Sequence, residues 1–234
     1  MVDRSADSTV EHEDTEKLLP SSKLGTKEYW DEAYSAELAN FNDNGDVGEV
    51  WFGESSMTRI VKWIKSNEKI TKSSTFLDIG CGNGMLLVKL AHHGYTNLTG
   101  VDYSQSAVDL ASSIAAEEKV NIKYLVWDIL NTESGGLCSD QKFDVCLDKG
   151  TYDAISLNPD DATGCQAKYI DNVSCLLASD GVFIICSCNW TKPELLAQFS
   201  NKFEFLESLP APSFSFGGQS GNTVTTLVFR AKKS

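Results

Sequence analysis

The sequence predicts an α/β fold, a seven-stranded, mostly parallel sheet with helices on both faces. Three observations predict it. Apolar runs of strand length alternate with amphipathic segments of helix length through the middle of the chain. The first of those runs, Thr75-Phe76-Leu77-Asp78-Ile79, passes directly into Gly80-Cys81-Gly82-Asn83-Gly84, and an amphipathic segment opens behind it. That succession is the mark of a buried strand, a tight turn and a helix N-terminus. Finally, two strand-like runs close the chain, joined by a long segment rich in Gly, Ser, Phe and Pro.

The elements follow in order. Residues 1–23 are polar, carry six acids against two bases up to Lys17 and show no periodicity, so they are expected to be a disordered acidic tail. The domain is expected to span 24–234, with residues 24–70 as a helical lid. Thr26 can cap a helix on which Tyr29, Trp30, Ala33 and Tyr34 share a face. Residues 40–51 have the asparagine spacing of a calcium loop, but Trp51 stands where a bidentate Glu is required, so calcium is excluded there. In Gly48-Glu49-Val50-Trp51-Phe52-Gly53-Glu54, two large aromatics lie between glycines and acids. That segment is either a plug on the sheet edge or a cover for a site. A helix beginning at Ser55 or Ser56 puts Met57, Ile60, Val61 and Ile64 on one face.

Strand 75–79, helix 85–93, strand 98–102 and helix 104–118 come next, the last with Ala107, Leu110, Ala111 and Ile114 as its buried stripe and Ser104 as its N-cap. Strands 122–127 and 143–147 follow. A helix carrying Tyr169, Ile170, Val173, Leu176 and Leu177 leads to strand 182–188. Thr191-x-x-Glu194 is a capping box opening another helix. Strands 203–209 and 224–229, linked by the loop 210–222, complete the sheet.

Composition narrows the function classes. A net charge of −13 argues against a nucleic-acid partner, which calls for a basic face, and suits a basic protein partner instead. No apolar run approaches the ~20 residues of a membrane helix, so no membrane association is expected. The first 20 residues lack the apolar stretch of a secretory signal. Seven cysteines, an odd number, are scattered without a CxxC pair, and the three histidines lack ligand spacing. The expectation is a reduced, monomeric protein of the cytoplasm, with the nucleus as a second location, and no metal.

The polar groups gather at strand ends. In open α/β sheets ligands sit beyond the carboxyl ends of the strands. Asp78 to Gly84, Asp102-Tyr103, Trp127-Asp128-Ile129 and Asp148 occupy four such ends. Asp102, about 20 residues past the glycine turn, stands where an acid accepts hydrogen bonds from a ribose diol. Asp128 can accept from an adenine amino group while Trp127 or Ile129 packs on the ring. The glycine spacing is G-x-G-x-G rather than the G-x-G-x-x-G of a dinucleotide site. Asp78, two residues before the first glycine, would repel a diphosphate but suits an ammonium group.

This pattern resembles motif I of the class I S-adenosylmethionine-dependent methyltransferases, whose fold is Rossmann-like. The segments Glu49-Val50-Trp51-Phe52-Gly53-Glu54, Asp148-Lys149-Gly150-Thr151-Tyr152-Asp153-Ala154, Ser187-Cys188-Asn189-Trp190-Thr191 and Phe214-Ser215-Phe216-Gly217-Gly218 are more selective. With the glycine turn they resemble the lysine methyltransferases of translation elongation factor 1-alpha, from about Leu24 to Phe229. The resemblance implies S-adenosylmethionine as cofactor and elongation factor 1-alpha, a basic protein, as substrate. A small-molecule methyltransferase and a non-catalytic cofactor-binding subunit are the alternatives. The implied cofactor contacts are Asp78, Gly80, Gly82, Asn83, Gly84, Asp102, Tyr103, Trp127, Asp128 and Ile129. Asp148 and Tyr152 are the candidate catalytic residues, and Trp51, Phe52, Asn189 and Trp190 the candidate substrate channel. For Trp190, core packing is an equal alternative.

Overall fold

The computed structural model describes residues 19–131, 141–211, 213–216, 219–222 and 224–232. Nine strands and seven helices are set out along them. The strands are β1 (Thr75–Ile79), β2 (Asn97–Asp102), β3 (Lys123–Val126), β4 (Phe143–Lys149), β5 (Leu177–Ser187), β6 (Phe203–Leu209), β7 (Ser213–Phe216), β8 (Gln219–Asn222) and β9 (Thr225–Ala231). The helices are α1 (Lys27–Asn44), α2 (Gly53–Ser66), α3 (Met85–His92), α4 (Gln105–Glu117), α5 (Thr151–Ile155), α6 (Ala162–Leu176) and α7 (Lys192–Phe199).

Seven strands form one sheet in the order β3-β2-β1-β4-β5-β9-β6. The first five are parallel, and β9 runs antiparallel to both β5 and β6. Alternate residues of each strand point to opposite faces, which splits the core in two. Leu77, Ile79, Cys146, Phe183, Ile185 and Phe229 meet Tyr169 and Val173 of α6 and Leu195 and Phe199 of α7. Phe76, Val145, Leu147, Ile184 and Val228 meet the stripe Met57, Ile60, Val61 and Ile64 of α2 and Leu86, Leu87 and Leu90 of α3. The chain order reverses direction across the sheet between β1 and β4, so a crevice opens beyond their carboxyl ends.

Several local expectations change. Residues 1–18 lie outside the described residues, but 19–23, assigned to the tail, belong to the ordered domain. Leu19 packs on the core, the Ser22 N–H donates to Leu157 O at 3.1 Å, and Lys23–Gly25 forms a 3-10 turn. Thr26 caps α1 as expected, but Ser104 makes no side-chain cap on α4; the Ser104 N–H is instead taken by the Asp102 carboxylate. β5 starts at Leu177 rather than 182, because Leu177 pairs with Phe143 across a register shift. The loop 210–222 contains the hairpin β7–β8, a sheet of its own. Among the described residues no helix is long and apolar enough to cross a membrane, and no cluster of three His, Cys, Asp or Glu could hold a metal.

Candidate active site

The glycine turn is shaped by what lies against it. Gly80 and Gly82 have φ of +65° and +52°, a region costly for side chains with a Cβ. A Cβ at Gly80 would stand 2.1 Å from Thr151 Oγ1, and one at Gly82 2.4 Å from the Tyr34 hydroxyl. The turn therefore carries bare backbone into a cavity of about 360 Å³. Gly84 is different. It does not line the cavity, and a Cβ there would collide with Tyr124 and Ala111, so Gly84 serves the packing of α3 and α4, not a ligand.

Asp102 closes β2 at the cavity wall. Its Oδ2 accepts from the Gly82 N–H at 3.1 Å and its Oδ1 from the Ser104 N–H at 3.0 Å. Burial pushes its pKa up to about 6, against the pull of those two amides. Tyr103 beside it lines the cavity and lies under the Lys27 ammonium. The Trp127 N–H donates to Asp102 O at 2.8 Å, which sets the turn 127–129 against β2. Trp127 and Ile129 are nearly covered and give the cavity an apolar wall, while Asp128 Oδ1 accepts from the Leu130 N–H. Asp78 lies just behind the turn, at the wall's back rather than in the lining. Burial raises its pKa to about 7, with the Lys149 ammonium pulling down and Asp102 pushing up.

The opposite wall comes from the start of the chain. Leu24, Gly25, Trp30 and Tyr34 line the cavity, as do Glu49, Trp51 and Phe52. Trp51 meets Trp30 edge to face at 5.2 Å, and the Trp30 Nε1–H donates to Leu24 O at 2.7 Å. Phe52 lies over Gly150, where a Cβ would come within 3.0 Å of its ring. Segment 48–54 therefore covers a site, and through Val50 and Phe52 it also rests on the apolar core. Asn83, expected on the cofactor, lines the cavity with its amide already engaged by Val47 O and Glu49 O, both at 3.1 Å.

The proposed catalytic pair is not at the cavity. Asp148 is 1% exposed and accepts from the Thr151 and Tyr152 N–H groups, both at 2.9 Å, and from the Tyr169 hydroxyl. It holds the first turn of α5 and does not line the cavity. Burial lifts its pKa to about 7 despite the three donors. Tyr152, also 1% exposed, points into the core against Tyr169 and Phe199, its hydroxyl bonded to Gln198 Oε1 at 3.0 Å. Trp190 is likewise core, its Nε1–H on Ser156 Oγ at 3.2 Å. Of the β5-end candidates, only Asn189 lines the cavity.

Residues absent from the sequence-based set complete this end. Lys149, one position past Asp148, is half-buried in the lining and donates to Trp51 O at 3.2 Å. Asp153 is 5% exposed and accepts from Ser187 Oγ at 2.5 Å and the Cys188 N–H at 2.7 Å. The Cys188 thiol is pushed up to about 12 by burial and by Asp153, so it stays neutral. Lys149 and Asp153 both belong to a segment the sequence had singled out; alternation along β4 turns Lys149 to the face opposite Asp148, but Asp153 lies in α5, where that period does not apply. Leu24 and Gly25 carried no signal.

Comparison with known proteins decides the family. Residues 70–231 match the methyltransferase domain family. EEF1A lysine methyltransferase 2 of Danio rerio is 51% identical over 219 residues, covering 92% of this chain and 91% of that protein. The chain belongs to the EEF1A lysine methyltransferase 2 family. Protein-lysine N-methyltransferase EFM4 of Saccharomyces cerevisiae is 36% identical over 90% of the chain and 96% of its own length. The N-methyltransferase NodS of Bradyrhizobium japonicum, solved with S-adenosyl-l-homocysteine, shares the fold at a TM-score of 0.61 and 19% identity, over 87% of this chain and 99% of that one. As a member of the EEF1A lysine methyltransferase 2 family, the chain places its glycine motif just past β1 and its Glu49–Glu54 segment on the wall opposite.

Proposed function

We propose that the protein binds S-adenosylmethionine and methylates the ε-amine of a lysine on elongation factor 1-alpha. The observation that carries this reading is a single cavity joining the glycine turn and Asp102 to an aromatic wall and Asn189. Its residues fit the cofactor. Gly80 and Gly82 present bare backbone to the cavity, where a Cβ would meet the Thr151 and Tyr34 hydroxyls. Asp102 offers carboxylate oxygens to a ribose diol, Trp127 and Ile129 offer an apolar face to an adenine, and Asp78 sets a carboxyl behind the turn whose ionised form a bound ammonium would favour. When bound, S-adenosylmethionine supplies an electrophilic sulfonium methyl.

The chain's own task is to present a neutral amine. Free lysine has a pKa near ~10.4, so the neutral form costs about 4–5 kcal/mol at pH 7. Trp51 and Phe52 remove water from the acceptor end, and the Lys149 ammonium adds like charge; both disfavour the protonated acceptor. Asp148 does not meet the acceptor, being buried outside the cavity lining and committed to three donors. Alignment then does most of the work, and Asn189, a polar group of the lining, would orient the acceptor.

The test is purified protein with purified elongation factor 1-alpha and S-adenosylmethionine, read by mass spectrometry. Methyl additions on one lysine are expected. An unmodified factor beside robust methylation of another protein would overturn the substrate and leave the methyltransferase.

A further inference from the structure

The segment between α1 and α2 crosses the cavity as a strap, and its backbone is held by side chains from the two loops beneath it. Asn83 Nδ2 donates to Val47 O and to Glu49 O, each at 3.1 Å. Lys149 Nζ donates to Trp51 O at 3.2 Å. These carbonyls belong to residues i, i+2 and i+4 of a segment that bends at Gly48, whose φ is +81°. From the α1 side, Glu37 Oε1 accepts from the Glu49 N–H at 3.2 Å.

Two further features show the strap is held rather than merely resting. Phe52 has φ of +63°, a left-handed conformation rare for an aromatic residue and retained only where its surroundings impose it. It is closed by the Gly53 N–H on Val50 O at 2.9 Å and clasped over Gly150. Asn83 has little left for a ligand. Both N–H bonds of the Asn83 amide have acceptors on the strap, and its Oδ1 accepts from the Met85 N–H at 3.4 Å. Asn83 also stands between Gly82 and Gly84, so anything that orders the glycine turn orders the strap.

We infer that Asn83 and Lys149 are positioning residues that hold the strap's edge, so that Trp51 and Phe52 form the acceptor end of the cavity. Seating of the cofactor and seating of the strap are thereby coupled. The inference rests on the function proposed above for the roles of the two ends of the cavity, but the latch has its own readout.

Four variants separate the possibilities: Asn83→Ala, Asn83→Asp, Lys149→Met and Lys149→Arg. Three quantities are measured: S-adenosylhomocysteine affinity by calorimetry, kcat and KM toward the protein substrate, and hydrogen exchange of amides 46–53 with and without S-adenosylhomocysteine. In the wild type the ligand should slow exchange of the strap. Asn83→Ala, losing two hydrogen bonds, should speed strap exchange and raise KM for the protein by about five- to thirtyfold. Its ligand affinity should change by less than about threefold, and the ligand should no longer protect the strap. Asn83→Asp, which cannot donate to carbonyls, should resemble Asn83→Ala. Lys149→Met should act in the same direction, and Lys149→Arg, which still donates to Trp51 O, should restore most of the effect. Ligand affinity falling as far as KM rises would make Asn83 a cofactor contact and overturn the inference. Unchanged strap exchange in both Asn83→Ala and Lys149→Met would overturn it as well. If the wild type does not methylate the factor, the substrate reading fails, while the exchange data still decide the latch.

Discussion

Asp78, Asp102 and Asp148 end three adjacent strands, all three are nearly inaccessible, and their partners give them separate tasks. Asp148 accepts two backbone N–H groups and a tyrosine hydroxyl, so it is an internal cap on α5. Asp148→Ala strands those donors in the core and should cost roughly 2–4 kcal/mol of stability. Urea denaturation measures it, with Tyr169→Phe as the milder control; a loss under ~1 kcal/mol would contradict the cap. Asp78 has the opposite problem, a carboxylate in the core whose pKa burial raises to about 7. A folded-state value above the unfolded 3.8 means that the native state binds its proton more tightly. The stability from that proton is complete below about pH 4 and lost as pH rises through about 7. Asp78→Asn cannot ionise, so relative to wild type it should be more stable at pH 8 than at pH 5. Denaturation at the two pH values checks this, and an equal difference at both would show that Asp78 is ionised throughout.

The elements differ in how far the sequence exposes them. The glycine turn, the stripe of α2 and the Asp102 position are local patterns, set by spacing along one strand or helix, and they were legible. So was the capping box of α7, where Glu194 Oε2 accepts from the Thr191 N–H at 2.7 Å. Asp148 shows the limit: spacing places an acid at the end of β4, but not the turn into α5 and the packing of α6 that bring Thr151, Tyr152 and Tyr169 around it. Leu177 read as the last apolar position of the preceding helix, and only pairing with Phe143 extends β5 back to it. Gly25 was invisible for the same reason, since its need is tertiary. A Cβ there would lie 2.3 Å from the backbone of Leu157 and 2.5 Å from Asn158 N. Both loops line the cavity and are joined by the Ser22 N–H on Leu157 O. Backbone cannot swing aside as a side chain can, so Gly25→Ala should part this seam. The expected cost is about 1–3 kcal/mol in stability, with S-adenosylmethionine affinity reduced about five- to tenfold, since each tenfold is ~1.4 kcal/mol. Thermal denaturation and calorimetry read both, and wild-type values for the pair would show that the two loops are not rigidly seated.

At the scale of the whole molecule, the net charge of −13 is unevenly spread. From Thr26 to Glu54, the wall and strap of the cavity, Lys27 faces eight acids, Glu28, Asp31, Glu32, Glu37, Asp43, Asp46, Glu49 and Glu54. From Arg59 to Lys72 the balance reverses, with Arg59, Lys62, Lys65, Lys69 and Lys72 against Glu68. Helix α2 joins the two regions. At 1.5 Å per residue, the twelve steps from Gly53 to Lys65 carry the basic group about 18 Å along the helix from the strap. That exceeds the ~8 Å Debye length at physiological salt, so the two fields act separately. A basic protein approaching the cavity meets the acidic side, and steering of this kind acts on encounter rather than on chemistry. With elongation factor 1-alpha as substrate, kcat/KM should fall about five- to tenfold between roughly 50 and 300 mM salt, while kcat stays nearly constant. S-adenosylmethionine affinity should change little, the acids of α1 lying outside the cavity lining. Exposed Glu28 and Glu32 provide the direct test. Replacing both with Gln should flatten the salt dependence and lower kcat/KM at low salt, and replacing Lys62 and Lys65 with Gln at the distant end of α2 should leave the slope as it was. A salt slope unaffected by the α1 pair, or one equally reduced by the α2 pair, would mean that overall charge rather than the acidic wall guides the substrate in.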